Sequence, residues 1–384
     1  MRVAIIHYWL VTWRGGEHVL KALADLYPEA DLYTHVVDPK LAERHLPGRR
    51  IHSTFVGRLP FSRRWYQRYL PLMPLALEQL DLRRYDLVIS SESGPAKGVL
   101  VPPHATHICY CHSPMRYVWD RYHDYQRDAG RITRTLSAPL LHYIRQWDQL
   151  SAQRVDRYVA NSNFVASRIR KYYGRSSEVI YPPVEVQEFD ATRPSEDFYL
   201  WVGQLVGYKR PDLAIEAFNR LARPLVVIGE GPLLAKLKRI AKNNIRILGR
   251  QPFEVIRDHY ARCRALIFPG IEDFGIVPVE AMASGKPVIA FDYGGARETV
   301  IDGHTGVLFE EQTVESLIEA VMRLKNTPTL PVPDIRAHAE LFSAEAFNRR
   351  FRTFVDQTLR LTCSASDHSR TKNSVDRLNT LPPG

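Results

Sequence analysis

Residues 265–291 read ALIFPGIEDFGIVPVEAMASGKPVIAF, and this stretch decides the fold class. Its two apolar ends, Ala265–Pro269 and Pro287–Phe291, have the length of buried β-strands. Between them Pro278 suits the first turn of a helix, which we predict over Val277–Ser284. Two apolar strands joined by a helix are typical of a parallel sheet that is covered on both faces.

The same alternation extends through the chain of 384 residues. Further strands are predicted at Val3–Trp9, Asp31–Val36, Asp86–Ser90, Thr106–His112, Arg157–Asn161, Tyr199–Gly203, Leu225–Gly229 and Ile245–Leu248. Further helices are predicted at Gly16–Leu26, Arg134–Gln153, Asn163–Tyr173, Arg210–Leu221, Leu233–Ala241, Phe253–Ala261 and Ala344–Leu361. The pattern predicts an α/β protein with two successive doubly wound domains and a cleft between them, where the carboxyl ends of the strands bind ligand.

Two adjacent prolines, Pro182 and Pro183, interrupt any regular element and mark the predicted domain boundary. We expect an N-terminal domain at 1–183 and a C-terminal domain at 184–345. A helix at 346–361 is expected to pack back on the N-terminal domain, and the polar residues 362–384 are expected to form a disordered tail. Tyr117–Ile132 is the one long loop expected to lack structure.

The composition excludes several classes of protein. Hydrophobic residues make up 45% of the chain and charged residues 24%, which excludes a mostly disordered chain. No apolar run approaches the roughly 18–20 residues that span a bilayer, and the N-terminus has the pattern of a strand, not of a signal peptide. The four cysteines have neither the number nor the spacing of a disulfide framework or a zinc site, which favours the cytoplasm.

The formal net charge of +10 is unevenly distributed. Residues 1–183 contain 26 basic and 16 acidic side chains, whereas residues 184–384 contain 26 of each. Residues 40–84 alone contain ten Lys and Arg against three acids, together with Trp65 and several other aromatic residues. Such a segment attracts anionic partners or is a solvated basic face without a partner.

Two carboxylates, Glu272 and Glu280, lie eight residues apart, one in the loop before a helix and one inside it. Gly275 permits a tight turn, and the N–H groups of Gly275, Ile276 and Val277 are placed to face an anion at the helix start. The carboxylates can accept hydrogen bonds from hydroxyl groups on either side of a bound phosphate. A ligand with hydroxyls, phosphate and further hydroxyls is a nucleotide sugar.

A second motif runs from Gly203 through Gln204 to Lys209 and Arg210. The helix dipole disfavours cations at a helix N-terminus, so the position of these two basic residues makes sense if they face a phosphate. The alternative is two exposed basic residues on a loop.

These motifs resemble those of the retaining glycosyltransferases of family 4, which have the GT-B fold of two Rossmann-like domains. The resemblance covers nearly all of 198–310, through Glu272-x7-Glu280, the Gly203 motif, Gly229-Glu-Gly-Pro232, Ser284-Gly-Lys-Pro-Val-Ile289, Gly294-Gly-Ala-Arg-Glu-Thr299 and Asp302-Gly-His-Thr-Gly306. It is looser in the first half, through Arg14-Gly-Gly-Glu17, Tyr110-Cys-His-Ser-Pro-Met-Arg116 and Ala160-Asn-Ser-Asn-Phe164. Within the family the chain is similar to bacterial mannosyltransferases of O-antigen and exopolysaccharide assembly.

The resemblance implies a role for each matching residue. Lys209 holds the donor diphosphate, Glu280 binds the ribose hydroxyls, and Glu272 binds the hydroxyls of the transferred sugar. The backbone at Gly275–Val277 and at Gly15 and Gly16 contacts sugar and phosphates. His112 faces the reacting sugar, and Arg116 lies at the acceptor side or in the cleft. Many relatives have Arg where this chain has Gln204; Arg210 is the expected substitute.

The implied activity is hexosyl transfer with retention and without a metal cofactor, most simply of mannose from GDP-mannose to a lipid-linked saccharide of a surface polysaccharide. The segment 40–84 is expected to hold the protein at the anionic inner face of the plasma membrane. The donor base, sugar and acceptor stay open, and a UDP-sugar donor is the alternative.

Other classes match less well. The chain lacks the third glycine of a dinucleotide-binding Gly-x-Gly-x-x-Gly motif, and it has no helix-turn-helix or RNP pattern for nucleic acid. A nucleotide-sugar epimerase or a phosphorylase would share the fold, and a nucleotide-binding protein without transferase activity is a further alternative.

Overall fold

The computed structural model describes residues 1–128, 131–326 and 330–378. It divides into a first unit, formed by Met1–Ala160, Arg168–Ile180 and Asn348–Gly384, and a second unit, formed by Asn161–Ser167 and Tyr181–Phe347. Each unit is built around one parallel β-sheet.

The first unit contains a seven-stranded sheet in the order β3-β2-β1-β4-β5-β6-β7, in which every neighbouring pair is parallel. The strands are β1 (Val3–His7), β2 (Asp31–Thr34), β3 (Ile51–Ser53), β4 (Leu87–Glu92), β5 (Thr106–Cys111), β6 (Arg157–Ala160) and β7 (Ser177–Val179). The helices are α1 (Gly15–Leu26), α2 (Pro39–His45), α3 (Ser62–Trp65), α4 (Met73–Glu78), α5 (Tyr122–Asp128), α6 (Arg131–Ala152) and α7 (Asn163–Tyr173). Every residue of β1, β4 and β5 is buried, because helices cover both faces of the sheet.

The second unit contains a six-stranded parallel sheet in the order β10-β9-β8-β11-β12-β13. The strands are β8 (Tyr199–Val202), β9 (Leu225–Ile228), β10 (Ile245–Gly249), β11 (Ala265–Phe268), β12 (Val288–Phe291) and β13 (Gly306–Phe309). The helices are α8 (Pro211–Leu221), α9 (Leu234–Ile240), α10 (Phe253–Arg262), α11 (Ile276–Ala283), α12 (Ala296–Thr299), α13 (Val314–Asn326) and α14 (Val332–Glu340). The last helix, α15 (Ala344–Leu378), begins in the second unit and belongs to the first unit from Asn348 onward. Successive side chains of β8 enter two different apolar clusters, one on each face of the sheet.

In both sheets the chain order reverses beside a central strand, between β1 and β4 and between β8 and β11. Open α/β sheets bind ligands beyond the carboxyl ends of the strands at such a reversal. The prediction of two doubly wound parallel α/β domains is confirmed, and two such domains are the components of the GT-B fold.

The structure differs from the sequence prediction in short elements. The strands β3, β7 and β13 were not predicted, and β3 and β7 have only three residues, too few for a recognisable alternation of apolar and polar side chains. Helix α5 lies inside Tyr117–Ile132, which was expected to lack structure.

The C-terminal helix α15 continues to Leu378, whereas the sequence predicted its end at Leu361 and a disordered tail at 362–384. No glycine or proline interrupts the chain between Ala344 and Leu378, so nothing in the backbone stops the helix. Phe351 of this helix is buried against Tyr110, both in the first unit. Residues 379–384 of the predicted tail lie outside the described residues.

The division into units also differs from the predicted boundary after residue 183. The second unit begins at Tyr181 and takes in the separate segment Asn161–Ser167. Ser162 explains this assignment, because its hydroxyl donates to the backbone carbonyl of Asp273 at 2.6 Å. Glu298 accepts hydrogen bonds from the backbone N–H groups of Asn163 and Phe164 at 2.7 and 2.9 Å.

Candidate functional site

Lys209 and Glu272 form an ion pair at the carboxyl edge of the second sheet. The Nζ of Lys209 lies 2.7 Å from Oε1 of Glu272, and each side chain is 18% exposed. The side chain of Lys209 passes over the backbone of Gly203. A Cβ added to Gly203 would lie 3.3 Å from Cδ of Lys209. Gly229 in turn allows the close approach of Gly203, because a Cβ added to Gly229 would overlap the carbonyl oxygen of Gly203.

A pair of glycines, Gly294 and Gly295, holds the loop that contains Glu272. The N–H of Gly295 donates to the carbonyl oxygen of Glu272 at 2.9 Å. A Cβ on Gly294 would lie 2.6 Å from the same oxygen, and one on Gly295 would overlap the carbonyl of Phe274. The two glycines are therefore needed for the backbone of the Glu272 loop to pack against them.

Gly275 begins helix α11 in a left-handed conformation, with φ of 85°. The first-turn N–H groups, including those of Ile276 and Val277, have no acceptor within the helix, as at any helix N-terminus. They supply hydrogen-bond donors and a positive helix end directly after Glu272 and Asp273. The local geometry suits an anion that also carries hydroxyl groups.

Glu280 lies on the same helix, and the hydroxyl of Tyr260 donates to its Oε2 at 2.8 Å. Burial raises the pKa of Glu280 to about 7, and this effect outweighs the hydrogen bond from Tyr260 and the charge of Lys209, both of which lower it. A carboxyl group tuned in this way is typical of functional sites. Tyr260 is a residue that the sequence analysis missed, because it lies on α10 and no motif links it to Glu280.

Gln204 and Arg210 are not brought to this cluster by any described contact. Gln204 is exposed. Arg210 has φ of 51° at the start of α8, and its guanidinium donates to Asp212 at 3.1 Å and to Gln312 at 3.2 Å. Arg210 would have to leave these partners to replace the missing arginine at position 204 as a phosphate ligand.

In the first unit the structure brings Gly16 and His112 together. A Cβ on Gly16 would overlap the hydroxyl of Tyr8 and would lie 3.6 Å from Nε2 of His112. Gly15 has open space at the corresponding point. Burial lowers the pKa of His112 to about 3, so its imidazole is neutral at physiological pH.

Arg116 follows His112 on the same loop and is partly buried. Its carbonyl oxygen accepts the N–H of Arg121 at 2.9 Å, which turns the chain toward α5. Ser91 is a second missed residue, because its Oγ lies 2.9 Å from Nε2 of His112 and comes from strand β4, far away in sequence.

No cluster of three or more His, Cys, Asp or Glu that could hold a metal ion occurs among the described residues. The same residues include no helix long and apolar enough to cross a membrane.

Two family models match consecutive parts of the chain. Residues 13–188 match "Glycosyltransferase Family 4" and residues 185–338 match "Glycosyl transferases group 1". Together the two models cover residues 13–338, and both describe glycosyltransferases. The motifs on which the resemblance was based thus lie within the matched residues.

The chain is similar in sequence to several curated proteins. It is 33% identical over 180 residues to an uncharacterized glycosyltransferase of Methanocaldococcus jannaschii, a match that covers 46% of this chain and 51% of the relative. It is 27% identical over 270 residues to an alpha-1,3/1,6-mannosyltransferase of Dictyostelium discoideum, covering 57% and 61%. It is 30% identical over 199 residues to a GDP-mannose-dependent phosphatidylinositol monomannoside mannosyltransferase of Mycolicibacterium smegmatis, covering 44% and 52%. The chain therefore spans about half to three fifths of the length of these relatives.

Solved structures match over nearly the whole chain. Sucrose-phosphate synthase of Thermosynechococcus elongatus has a TM-score of 0.70 at 19% identity, covering 94% of this chain and 100% of that one. HepE of Anabaena in complex with UDP-glucose has a TM-score of 0.68 at 17% identity, covering 93% and 100%. At these identities the likeness concerns the fold.

Proposed function

We propose that this protein transfers a hexose from a nucleotide sugar to a saccharide acceptor with retention of the anomeric configuration. The observation that carries the proposal is the cluster of Lys209, Glu272 and Glu280 around the start of α11. It combines a cation, two carboxylates and free helix N–H groups within one edge of the sheet. Those are the groups that a diphosphate flanked by two polyhydroxyl rings requires.

In this proposal Lys209 and the N–H groups at Gly275–Val277 bind the diphosphate. Phosphate oxygens compete with Glu272 for Lys209, which leaves the Glu272 carboxylate able to accept hydrogen bonds from the transferred sugar. Glu280, held by Tyr260, accepts hydrogen bonds from the ribose hydroxyls. The second unit is thus the donor-binding domain, and the first unit, with His112 against the sugar and Gly15, Gly16 and Arg116 nearby, is the acceptor-binding domain.

In the transfer step the bond between the anomeric carbon and the diphosphate oxygen breaks, and a bond from the acceptor oxygen forms on the same face of the sugar. The proton of the acceptor hydroxyl passes to the departing diphosphate. Lys209 and the helix N-terminus stabilise the negative charge that grows on the leaving group. We propose that these groups suffice without a metal ion.

GDP-mannose is the proposed donor. The names of two relatives support it, since one is a mannosyltransferase and another is GDP-mannose-dependent. A UDP-sugar is the second candidate, supported by the matching fold of HepE, whose structures contain UDP and UDP-glucose. The alternative to a transferase of either donor is a nucleotide-binding protein without transferase activity.

The proposed acceptor is a lipid-linked saccharide of surface polysaccharide or lipopolysaccharide biosynthesis, with the protein in the cytoplasm at the inner face of the plasma membrane. The support is the segment 40–84, which exposes basic and aromatic side chains together. Phe61 is 67% exposed, and Arg68 stacks 5.1 Å from the ring centre of Trp65. Such a surface attracts anionic headgroups and places aromatic rings at the interface.

The first experiment is a calorimetric titration of GDP, UDP and NAD into the protein and its Lys209→Ala variant. We expect GDP to bind and the variant to lose about 10- to 100-fold in affinity, since a charge-assisted contact to the diphosphate is removed. Lys238→Ala, at an exposed position of α9, is the matched control and should bind as the unchanged protein does.

The outcomes separate the candidates. Preference for UDP would keep the transferase and overturn the GDP-mannose donor. Binding of NAD alone would contradict the proposed function. With a nucleotide sugar, release of the nucleoside diphosphate only when a saccharide acceptor is present indicates transfer, and no release under any condition favours the protein without transferase activity.

A further inference from the structure

Four polar side chains, three of them buried, lie in a row in the first unit. Glu17 comes from α1, His7 ends β1, Ser91 lies on β4, and His112 follows β5. His7 and Ser91 are paired residues of adjacent parallel strands. The Oγ of Ser91 lies 3.1 Å from Nδ1 of His7 and 2.9 Å from Nε2 of His112.

Three of these four side chains have almost no access to solvent. His7 and Glu17 are each 2% exposed and Ser91 is fully buried. Buried polar groups are costly unless they are paired, so an arrangement of three of them in a line beside His112 needs an explanation. Strand packing does not by itself call for these side chains, because the residues that precede His7 on β1, Ile5 and Ile6, are apolar and fully buried.

Glu17 fixes one end of the row. Its Oε2 accepts the backbone N–H of Arg14 at 2.9 Å, and its Oε1 faces Nε2 of His7 at 4.0 Å. That nitrogen is buried and has no hydrogen-bond partner among the described residues. A carboxylate can only accept, so an imidazole nitrogen that faces it is favoured as N–H and disfavoured as a lone pair.

The positions of the protons on His7, Ser91 and His112 follow from this preference. With its proton on Nε2, neutral His7 has a lone pair on Nδ1, and the single hydroxyl proton of Ser91 is donated there. The Oγ of Ser91 must accept from His112, so Nε2 of His112 is protonated. The opposite order requires a proton on Nδ1 of His7, which would donate to Ser91 and direct the hydroxyl of Ser91 to Nε2 of His112.

We propose that Glu17, His7 and Ser91 are positioning residues that hold His112 in one tautomer, with the proton on Nε2 and the lone pair on Nδ1. This rests on the proposed function, in which His112 contacts the transferred sugar. His112 then offers a hydrogen-bond acceptor to the sugar, which binds a hydroxyl group as donor. The other tautomer would present an N–H and would lose this selectivity for a hydroxyl hydrogen.

The test is nitrogen NMR of the protein labelled with ¹⁵N-histidine near neutral pH, with the resonances of His112 assigned by their loss in His112→Asn. The protonated and unprotonated ring nitrogens differ widely in chemical shift, so the tautomer is read directly. We expect Nε2–H for His112 in the unchanged protein and a mixture of tautomers in Ser91→Ala. Ser90→Ala is the matched control, because Ser90 is equally buried on the same strand and is bonded to His107 instead.

Kinetics supply the second readout. Ser91→Ala is expected to lower kcat/KM for the nucleotide sugar about 10-fold, equivalent to about 1.4 kcal/mol, and Ser90→Ala to leave it within about twofold. If His112 is found as the Nδ1–H tautomer or as an imidazolium, the inference is overturned, whether or not the protein turns over a nucleotide sugar. An Nε2–H tautomer in a protein that turns over no nucleotide sugar leaves the proton order intact and contradicts only the proposed function.

Discussion

At the residue scale, the carboxyl group of Glu280 has the clearest electrostatic signature in the cluster formed by Lys209, Glu272 and Glu280. Burial raises its pKa to about 7 against an ordinary value near 4.5. The carboxyl group is therefore expected to change its protonation state within the physiological range, and both ligand binding and folding stability follow from that.

Donor affinity should depend on pH through Glu280. Ribose hydroxyls donate to the ionised carboxylate, so nucleotide binding should weaken by up to about tenfold for each pH unit below 7. Calorimetric titration of the nucleotide at pH 6, 7 and 8 measures this. Glu280→Gln should bind weakly at every pH, and Glu216→Gln, at an exposed position of α8, should keep the pH dependence. A flat affinity in the unchanged protein would show that Glu280 does not bind the donor.

Stability should change in the opposite direction. Between pH 4.5 and 7 the folded protein holds a proton on Glu280 that the unfolded chain has lost, so the free energy of unfolding falls as pH rises through this window. At pH 8 Glu280→Gln should therefore be more stable than the unchanged protein by about 1 to 3 kcal/mol, and at pH 4 the two should be equal. Equal stability at both pH values would contradict the raised pKa.

At the scale of single elements, the starts of α1 and α11 decide what the two candidate sites contain. Both helices begin at glycines directly after a strand and its loop. In α1 the two glycines are not equivalent, since only Gly16 lies against Tyr8 and His112. The sequence motif Arg14-Gly-Gly-Glu17 does not reveal this difference, because it depends on which side of the helix faces β1 and β5.

Substituting the two glycines of α1 should have different effects. The methyl group of Gly16→Ala would displace the Tyr8 hydroxyl in a packed interior, and we expect a loss of about 1–3 kcal/mol in the free energy of unfolding. Gly15→Ala enters open space and should be neutral or stabilising by about 0.5–1 kcal/mol, since alanine favours helix. Chemical denaturation of both variants measures this. Equal effects at the two positions would contradict the packing at Gly16.

At the scale of the whole molecule, the excess positive charge lies in the first unit, and the fold exposes it. Between Phe55 and Glu78 the chain forms only short helical turns. These turns bury Val56, Met73 and Ala76 in a small apolar cluster. The turns leave other side chains on the surface, namely Arg58, Phe61, Arg63, Arg64, Trp65, Arg68, Leu72 and Leu75.

This surface should bind anionic membranes in a salt-sensitive manner. We expect the protein to float with vesicles of phosphatidylcholine and phosphatidylglycerol at low salt, and to be released at high salt or from phosphatidylcholine alone. The double variant Arg63→Gln with Arg64→Gln should bind about 30-fold more weakly, at about 1 kcal/mol per arginine. Lys236→Gln with Lys238→Gln removes the same charge from an exposed helix of the second unit and should not change binding. A protein that stays unbound at low salt would overturn the proposed membrane contact.

Much of the fold was predictable because its signals are local. Apolar runs such as Ala265–Phe268 and the glycine and proline positions around α11 identify strands, helices and turns from neighbouring residues alone. Edge strands such as β3 were not predictable, since three residues with half-exposed side chains carry no periodic signal. The end of α15 was also wrong, because a polar composition does not by itself stop a helix.

The sequence by itself determined the class of fold and predicted the motif with Lys209, Glu272 and Glu280, since both depend on residue types at short, regular spacings. Only the tertiary structure decided which distant side chains act on them. Tyr260 reaches Glu280 from another helix, and Ser91 and His7 reach His112 from other strands. It also showed that Arg210 is engaged with Asp212 and Gln312. The physical reason is that a hydrogen bond or a buried charge depends on distance in space, which sheet order and helix packing set and which spacing along the chain does not reveal.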